Sequence, residues 1–150
     1  MTVKTLLEAQ WTSANVGGTT PDFYTPATVK RIDMSNKDAI TIYSVARTDT
    51  KMGVTNAFRD RVDTVSIDIM TFVDYNRFML LRAEVERILD LAASRSSPTT
   101  RPMVATYSDP YTANAYDQLI PISSHTQEDR NRKWWRCIID VELKSYWEAR

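Results

Sequence analysis

The sequence predicts an α+β fold: a single, mostly antiparallel sheet of four to five strands, with one long amphipathic helix packed on one face. Three stretches carry that expectation. In RVDTVSIDIMTF, residues 61–72, Val65, Ile67 and Ile69 alternate with Thr64, Ser66 and Asp68, the period of a half-buried strand. From Asp74 the period changes. Phe78, Leu81, Val85, Ile88, Leu89 and Ala92 recur at helical spacing, which predicts a helix over about 74–93. The last stretch, WWRCIIDVELKSYW (134–147), alternates again: Trp135, Cys137, Ile139, Val141 and Leu143 share one face. One helix covers only one face of a sheet, so two layers follow.

The remaining elements are read in chain order. A short N-terminal helix fits residues 3–11, VKTLLEAQW, with Val3, Leu6, Leu7 and Trp11 on one stripe. Gly17-Gly18, Pro21 and Pro26 then interrupt regular structure across TSANVGGTTPDFYTP. Residues 28–33 read as an edge strand, and AITIYSVA (39–46), β-branched and aromatic, as a firmer one. RTDTKMGVTNAFRD (47–60) reads as a long connection. In the helix, Asp74 is the N-cap, and the polar face carries Arg77, Arg82, Glu86 and Asp90, with Arg82 and Glu86 four apart. Its large apolar side chains are each worth roughly 1.5–3 kcal/mol of burial, before entropy, so this helix anchors the fold. Residues 94–115 hold Pro98, Pro102 and Pro110 and read as a long irregular connection, disordered or reserved for a partner, with MVATY a short strand inside it. YDQLIPISS (116–124), interrupted by Pro121, fits an edge strand, and QEDRNRK the turn into the last strand.

The chain is 150 residues long, which suits one domain over 1–150. Nineteen basic and nineteen acidic residues cancel, so net charge points neither to nucleic acid nor to an acidic tail. The start, MTVKTLLEAQW, lacks a secretory apolar core, and no run of about 18 apolar residues occurs, so a soluble protein made in a cytoplasm is expected. A single cysteine excludes an internal disulfide and a cysteine-rich zinc site. Only three glycines are present, too few for a phosphate-cradling loop or a dinucleotide fingerprint. No cofactor and no bound metal are expected.

The chemical candidates are few. Glu142 and Lys144 lie two apart on the outer face of the last strand, a spacing that metal-dependent nucleases use, with Asp140 or Asp68 as the second carboxylate. Pairing of opposite charges on a solvated sheet face accounts for them equally, and is preferred because only six residues follow Lys144. His125 reads as a surface histidine beside a turn, and Cys137 as a small inert hydrophobe facing the core. Lys51, Arg59 and Arg61 sit among Asp49 and Asp60; Arg130, Arg132 and Lys133 sit beside Glu128 and Asp129, so both clusters read as solvated turns. The outer face of the last strand also carries Trp134, Ile138 and Tyr146, with Met70 and Phe72 adjoining. Mixed aromatic and charged surface of this kind suits a protein interface, unless the N-terminal helix covers it.

Residues 39–147 hold a strand AITIYSVA, a strand VDTVSIDIMTF turning into the helix DYNRFMLLRAEVERILDL, and a final aromatic-rich strand WWRCIIDVELKSYW. This pattern resembles the tail terminator, or tail completion, proteins of long-tailed bacteriophages. The resemblance implies a structural virion protein of the tail or neck region, made in the host cytoplasm. It implies a homo-oligomeric ring, typically a hexamer, that caps the tail tube, ends its polymerisation and offers a surface for head–tail joining. The implied partners are other copies of the chain, the tail tube protein and head–tail connector proteins, with no small-molecule ligand and no specific nucleic-acid recognition. The interface candidates are Lys51, Arg59, Arg61, Arg130, Arg132, Lys133, Trp134, Ile138 and Tyr146, chosen for expected exposure. A head-closing or connector (neck) protein is the alternative in the same class. A nuclease built on Glu142 and Lys144 and a ligand-binding module with a deep apolar pocket are alternatives in others.

Overall fold

A computed structural model describes residues 2–26, 38–52, 58–95, 107–108, 115–116, 118–129, 131 and 134–148; side chains are described for 2–26, 38–51, 60–93, 118–129, 131 and 134–144. The predicted strand over 28–33 and the turn residues Arg130, Arg132 and Lys133 lie outside these.

The chain begins with helix α1 (Val3–Gln10), capped by Thr2, whose hydroxyl accepts a hydrogen bond from the Thr5 amide at 3.1 Å. Val3, Leu6 and Leu7 fill its buried stripe. A 3₁₀ turn, Ser13–Val16, ends at Gly17. Gly17 and Gly18 have φ of 78° and 88°, and no atom lies within 4 Å of where a Cβ would stand. Backbone conformation rather than crowding therefore calls for glycine there.

The main sheet has five strands in the order β1-β2-β3-β7-β6: β1 (Asp22–Tyr24), β2 (Asp38–Met52), β3 (Phe58–Thr71), β6 (Gln118–Asp129) and β7 (Trp134–Glu148). β2, β3, β7 and β6 pair antiparallel, while β1 joins β2 in parallel through Asp22 opposite Ala39. The sheet is thus mixed, and its parallel edge falls in the stretch read as interrupted. A three-residue strand beside Pro21 and Pro26 is too short to set a detectable period. The five-strand sheet agrees with the expected α+β fold built on one sheet, and a two-residue ladder pairs β4 (Tyr107–Ser108) with β5 (Ala115–Tyr116) inside the predicted irregular connection.

The connection expected over 47–60 is mostly strand. Its pairs are polar: Arg47 faces Asp63, Asp49 faces Arg61 and Lys51 faces Arg59. Arg61 grips Asp49 through Nε at 2.7 Å and Nη2 at 3.2 Å, and Arg47 meets Asp63 at 3.2 Å. The opposite-charge pairs Arg47–Asp63 and Arg61–Asp49 hold this ribbon where apolar alternation is missing. β6 likewise runs to Asp129, through residues read as turn.

Helix α2 (Tyr75–Arg95) follows β3 after a short turn, with the Asp74 carboxylate accepting from the Arg77 amide at 2.7 Å. Phe78, Leu81, Val85, Ile88, Leu89 and Ala92 are buried. They form one cluster with Leu6 and Leu7 of α1, Ile40 and Ile42 of β2, Val65, Ile67 and Ile69 of β3, Leu119 of β6, and Cys137 to Leu143 of β7. Both helices therefore serve the same face of the sheet. At 1.5 Å per residue α2 is about 31 Å long, whereas fourteen strand residues reach about 46 Å. The distal ribbon of β2 and β3 outruns the helix, and Ser44 to Lys51 are exposed. Among the described residues no helix is long and apolar enough to cross a membrane.

Candidate functional site

Three surfaces stand out: the outer sheet face, the long sheet edges, and the junction where the N-terminal segment meets α2.

On the outer face, Trp134, Arg136, Ile138, Asp140, Glu142 and Lys144 of β7 are half-buried. Each charged group there has a partner. Asp68 of β3 takes Arg136 through Nε at 2.9 Å and Nη2 at 2.5 Å, a two-armed pair that raises the Arg136 pKa against the opposing effect of burial. Asp140 accepts from the Ser66 hydroxyl at 2.5 Å and from the Ser123 hydroxyl at 3.2 Å. Glu142 and Lys144 pair with each other at 3.3 Å. Among the described residues no group of three or more histidines, cysteines or carboxylates is gathered to hold a metal ion.

The interface candidates fall in different places. Trp134 and Ile138 are on the outer face, with Ile138 opposite Asp68 on one side and His125 on the other. Tyr146 occupies a β7 position opposite Asp60, and Arg59 a β3 position opposite Lys51; their side chains lie outside the described set. Lys51 is exposed near the end of β2. Arg61 is bound to Asp49 on the same ribbon. Lys51, Arg59 and Arg61 therefore lie on paired strands, not on a loop.

Two consequential residues escaped the sequence reading. Arg77, expected on the solvent face of α2, turns inward. Its Nε and Nη2 donate to Asp38 at 3.0 and 2.8 Å, its Nη1 donates to the Val16 carbonyl, and Nη2 also reaches the Thr19 carbonyl at 2.8 Å. Asp38, itself buried, also accepts from Thr71 at 2.6 Å. Two turns further along α2, buried Glu84 accepts from the Thr12 amide at 2.9 Å and the Asn15 amide group at 2.8 Å. It also takes Nε and Nη2 of Arg87 at 2.9 and 2.6 Å. Burial alone would raise the Glu84 pKa; the hydrogen bonds from Arg87, Asn15 and Thr12 outweigh it and hold the carboxyl below its ordinary value. Apart from Arg87, three residues from Glu84, these partners lie too far away in sequence to leave a local signal. Cys137 is fully buried, and desolvation raises its thiol pKa.

Between α2 and β6 lies a groove of about 280 Å³, with Leu89, Pro121, Ile122 and Ile139 in its lining and Glu86 and Asp90 at the helix side. A second hollow, about 400 Å³, lies beside Arg77 and Asp38, with Val16, Val73 and Leu80 among its walls.

No family model matches the sequence, and neither does any curated protein. Among solved structures, the fold matches a chain from a structure described as the virion of a native gene transfer agent particle. The TM-score is 0.64 at 12% identity, and the match covers 99% of this chain and 92% of the other. At that identity the two chains share a fold.

Proposed function

We propose that this chain is a structural virion protein that assembles with copies of itself into a ring at the end of a phage-type tail tube, stopping tube growth and presenting a surface for head–tail joining. The observation that carries this reading is the shared fold with a gene transfer agent virion chain, which spans nearly the whole of both chains. The resemblance drawn from strand VDTVSIDIMTF, its helix and strand WWRCIIDVELKSYW leads to the same class independently.

On this reading the work is geometric and no bond is made or broken. The outer-face charges are spent on one another, with Arg136 on Asp68 and Lys144 on Glu142, which suits a surface that holds its shape. Trp134 and Ile138 lie among them as contact side chains, because aromatic and apolar groups within a charged surround supply most interface energy. Lys51, Arg59 and Arg61 on the distal ribbon, and Arg130, Arg132, Lys133 and Tyr146, remain candidates for contact with neighbours, the tail tube or connector proteins.

The test is mass measurement in solution across a concentration range, with electron microscopy of the protein alone and mixed with tail tubes of its own particle. Rings, free or seated on tube ends, are expected. A protein that stays monomeric throughout and ignores the tubes would overturn the proposal. Seating on the head connector instead of the tube would assign the neck position. Magnesium-dependent DNA cleavage lost in Glu142→Ala would replace the structural reading with an enzymatic one.

A further inference from the structure

We propose that β6 is built to refuse a further strand at its outer edge, so that copies of this chain do not extend one another's sheets without limit. The device consists of Pro121, the bulge at Ile122 and the charged group that Arg82 lays over the strand. This goes beyond the ring reading and does not need it: it says where association is blocked, in a monomer and a ring alike.

Register supplies the first argument. β6 ends the sheet on one side. Along it the register with β7 shifts once: Pro121 faces Val141 and Ser123 faces Asp140, which leaves Ile122 as an extra residue. β2, which β1 covers only at Ala39 to Thr41, has the same feature, with Val45 as the extra residue. β3 and β7, each with strands on both sides, pair with one another without a shift. The bulges thus sit on strands that a newcomer would meet, and the inner pair has none. A bulge bends and twists its strand and breaks the even spacing of outward amides and carbonyls that a new partner needs.

Backbone chemistry supplies the second. Proline has no N–H to give, and in a sheet it is confined to positions whose nitrogen points away from the neighbouring strand. Pro121 keeps its place opposite Val141, so the missing donor lies on the side away from β7. A strand approaching there meets the pyrrolidine ring where it needs an amide, one residue from the bulge.

Side chains supply the third. Ser124 and Thr126 lie opposite Ile139 and Cys137, so they share the face that α2 covers. Arg82 of α2 reaches over them: its Nη1 is 3.2 Å from the Thr126 hydroxyl and its Nη2 3.4 Å from that of Ser124, while Nε holds Glu86 at 2.8 Å. A strand laid along β6 would bring its own inward side chains against this ion pair. Apolar residues, which fill a core face, gain nothing there.

Repairing the edge tests this. Pro121→Thr returns the amide, and excising Ile122 from that variant returns the even register. Both residues are exposed, so the buried cluster is untouched. Circular dichroism and the urea midpoint verify the fold. Light scattering over a concentration series follows mass, and thioflavin T reports shared sheets. Wild type, monomer or ring, is expected to stop at a finite mass. Pro121→Thr is expected to begin associating at a concentration about fivefold lower, the effect of one regained backbone hydrogen bond. The shortened variant is expected to keep growing, and Ile120→Lys, a charge on the outer face of the same strand, to stop that growth. Variants that fold and stop at the wild-type mass would overturn the proposal. So would growth that the lysine leaves unchanged, since it then comes from unfolded chain, and so would thioflavin-positive fibrils of wild type. If the shortened variant does not fold, Pro121→Thr decides alone: association no stronger than that of wild type overturns the proposal.

Discussion

Replacing Glu84 with alanine tests whether the N-terminal segment is pinned to α2 or merely lies against it. The wild-type carboxylate, 2% exposed, binds Thr12, Asn15 and Arg87. Arg87 is 41% exposed and regains water when released, so its share is small. The Thr12 amide and the Asn15 side chain lose a charged acceptor in a part-buried place, at about 1.5 kcal/mol each. A loss of about 3 kcal/mol is therefore expected in urea denaturation, or roughly 6–12 °C in Tm for a chain of this size. The Thr12 amide should also exchange with deuterium far faster, while amides of β3 keep their protection relative to global stability. The pH dependence has a fixed sign. A carboxyl held below its ordinary value contributes fully above about pH 4.3 and loses that contribution as the pH falls through its folded-state value. Glu84→Gln should flatten the acid limb of the stability curve below about pH 4.3. A stability loss under about 0.5 kcal/mol in Glu84→Ala, with unchanged exchange at Thr12, would refute the pinning argument.

Three further expectations follow from the packing. Phe78→Ala, at a fully buried position between α2 and the sheet, should cost about 3–5 kcal/mol in chemical denaturation. A double-mutant cycle on Asp68 and Arg136 should give a coupling of about 1 kcal/mol that shrinks in high salt, since the pair is part-exposed; zero coupling would make the pair ornamental. Cys137, buried with a raised thiol pKa, should resist a thiol reagent in the folded protein and react at the rate of global unfolding.

What was legible in the sequence divides by how each element announces itself. β3 and β7 were readable because Val65, Ile67 and Ile69, and Cys137, Ile139, Val141 and Leu143, keep a strict two-residue period against a buried layer. The buried positions of α2 were readable from Phe78 to Ala92 for the corresponding reason at helical spacing. The distal ribbon was not, since Arg47, Thr48, Asp49, Thr50 and Lys51 spell a loop in composition and become strand only through Asp63 and Arg61 on the facing chain. Pro121 pointed correctly to an edge, but the run from Gln127 to Asp129 looked like turn because its pairing comes entirely from β7. The anchoring roles of Arg77 and Glu84 were invisible, for each depends on a segment about sixty to seventy residues away in sequence. Of the surface candidates, Trp134 and Ile138 were placed on the outer face from parity alone, whereas Arg61 looked available and is tied to Asp49.

The bulge in β2 has a consequence for how this strand tolerates changes in length. Ser44 faces Val65 and Ala46 faces Thr64, so Val45 is the extra residue between them. Excising it would leave Arg47 opposite Asp63 and Asp49 opposite Arg61. Excising any residue from Thr48 to Thr50 would instead slide the tip of the ribbon out of step with β3 and turn its side chains to the wrong side. Val45 is thus the one place where the strand can be shortened without scrambling its partners, and a chain lacking it would carry the same ribbon, straighter and aimed elsewhere.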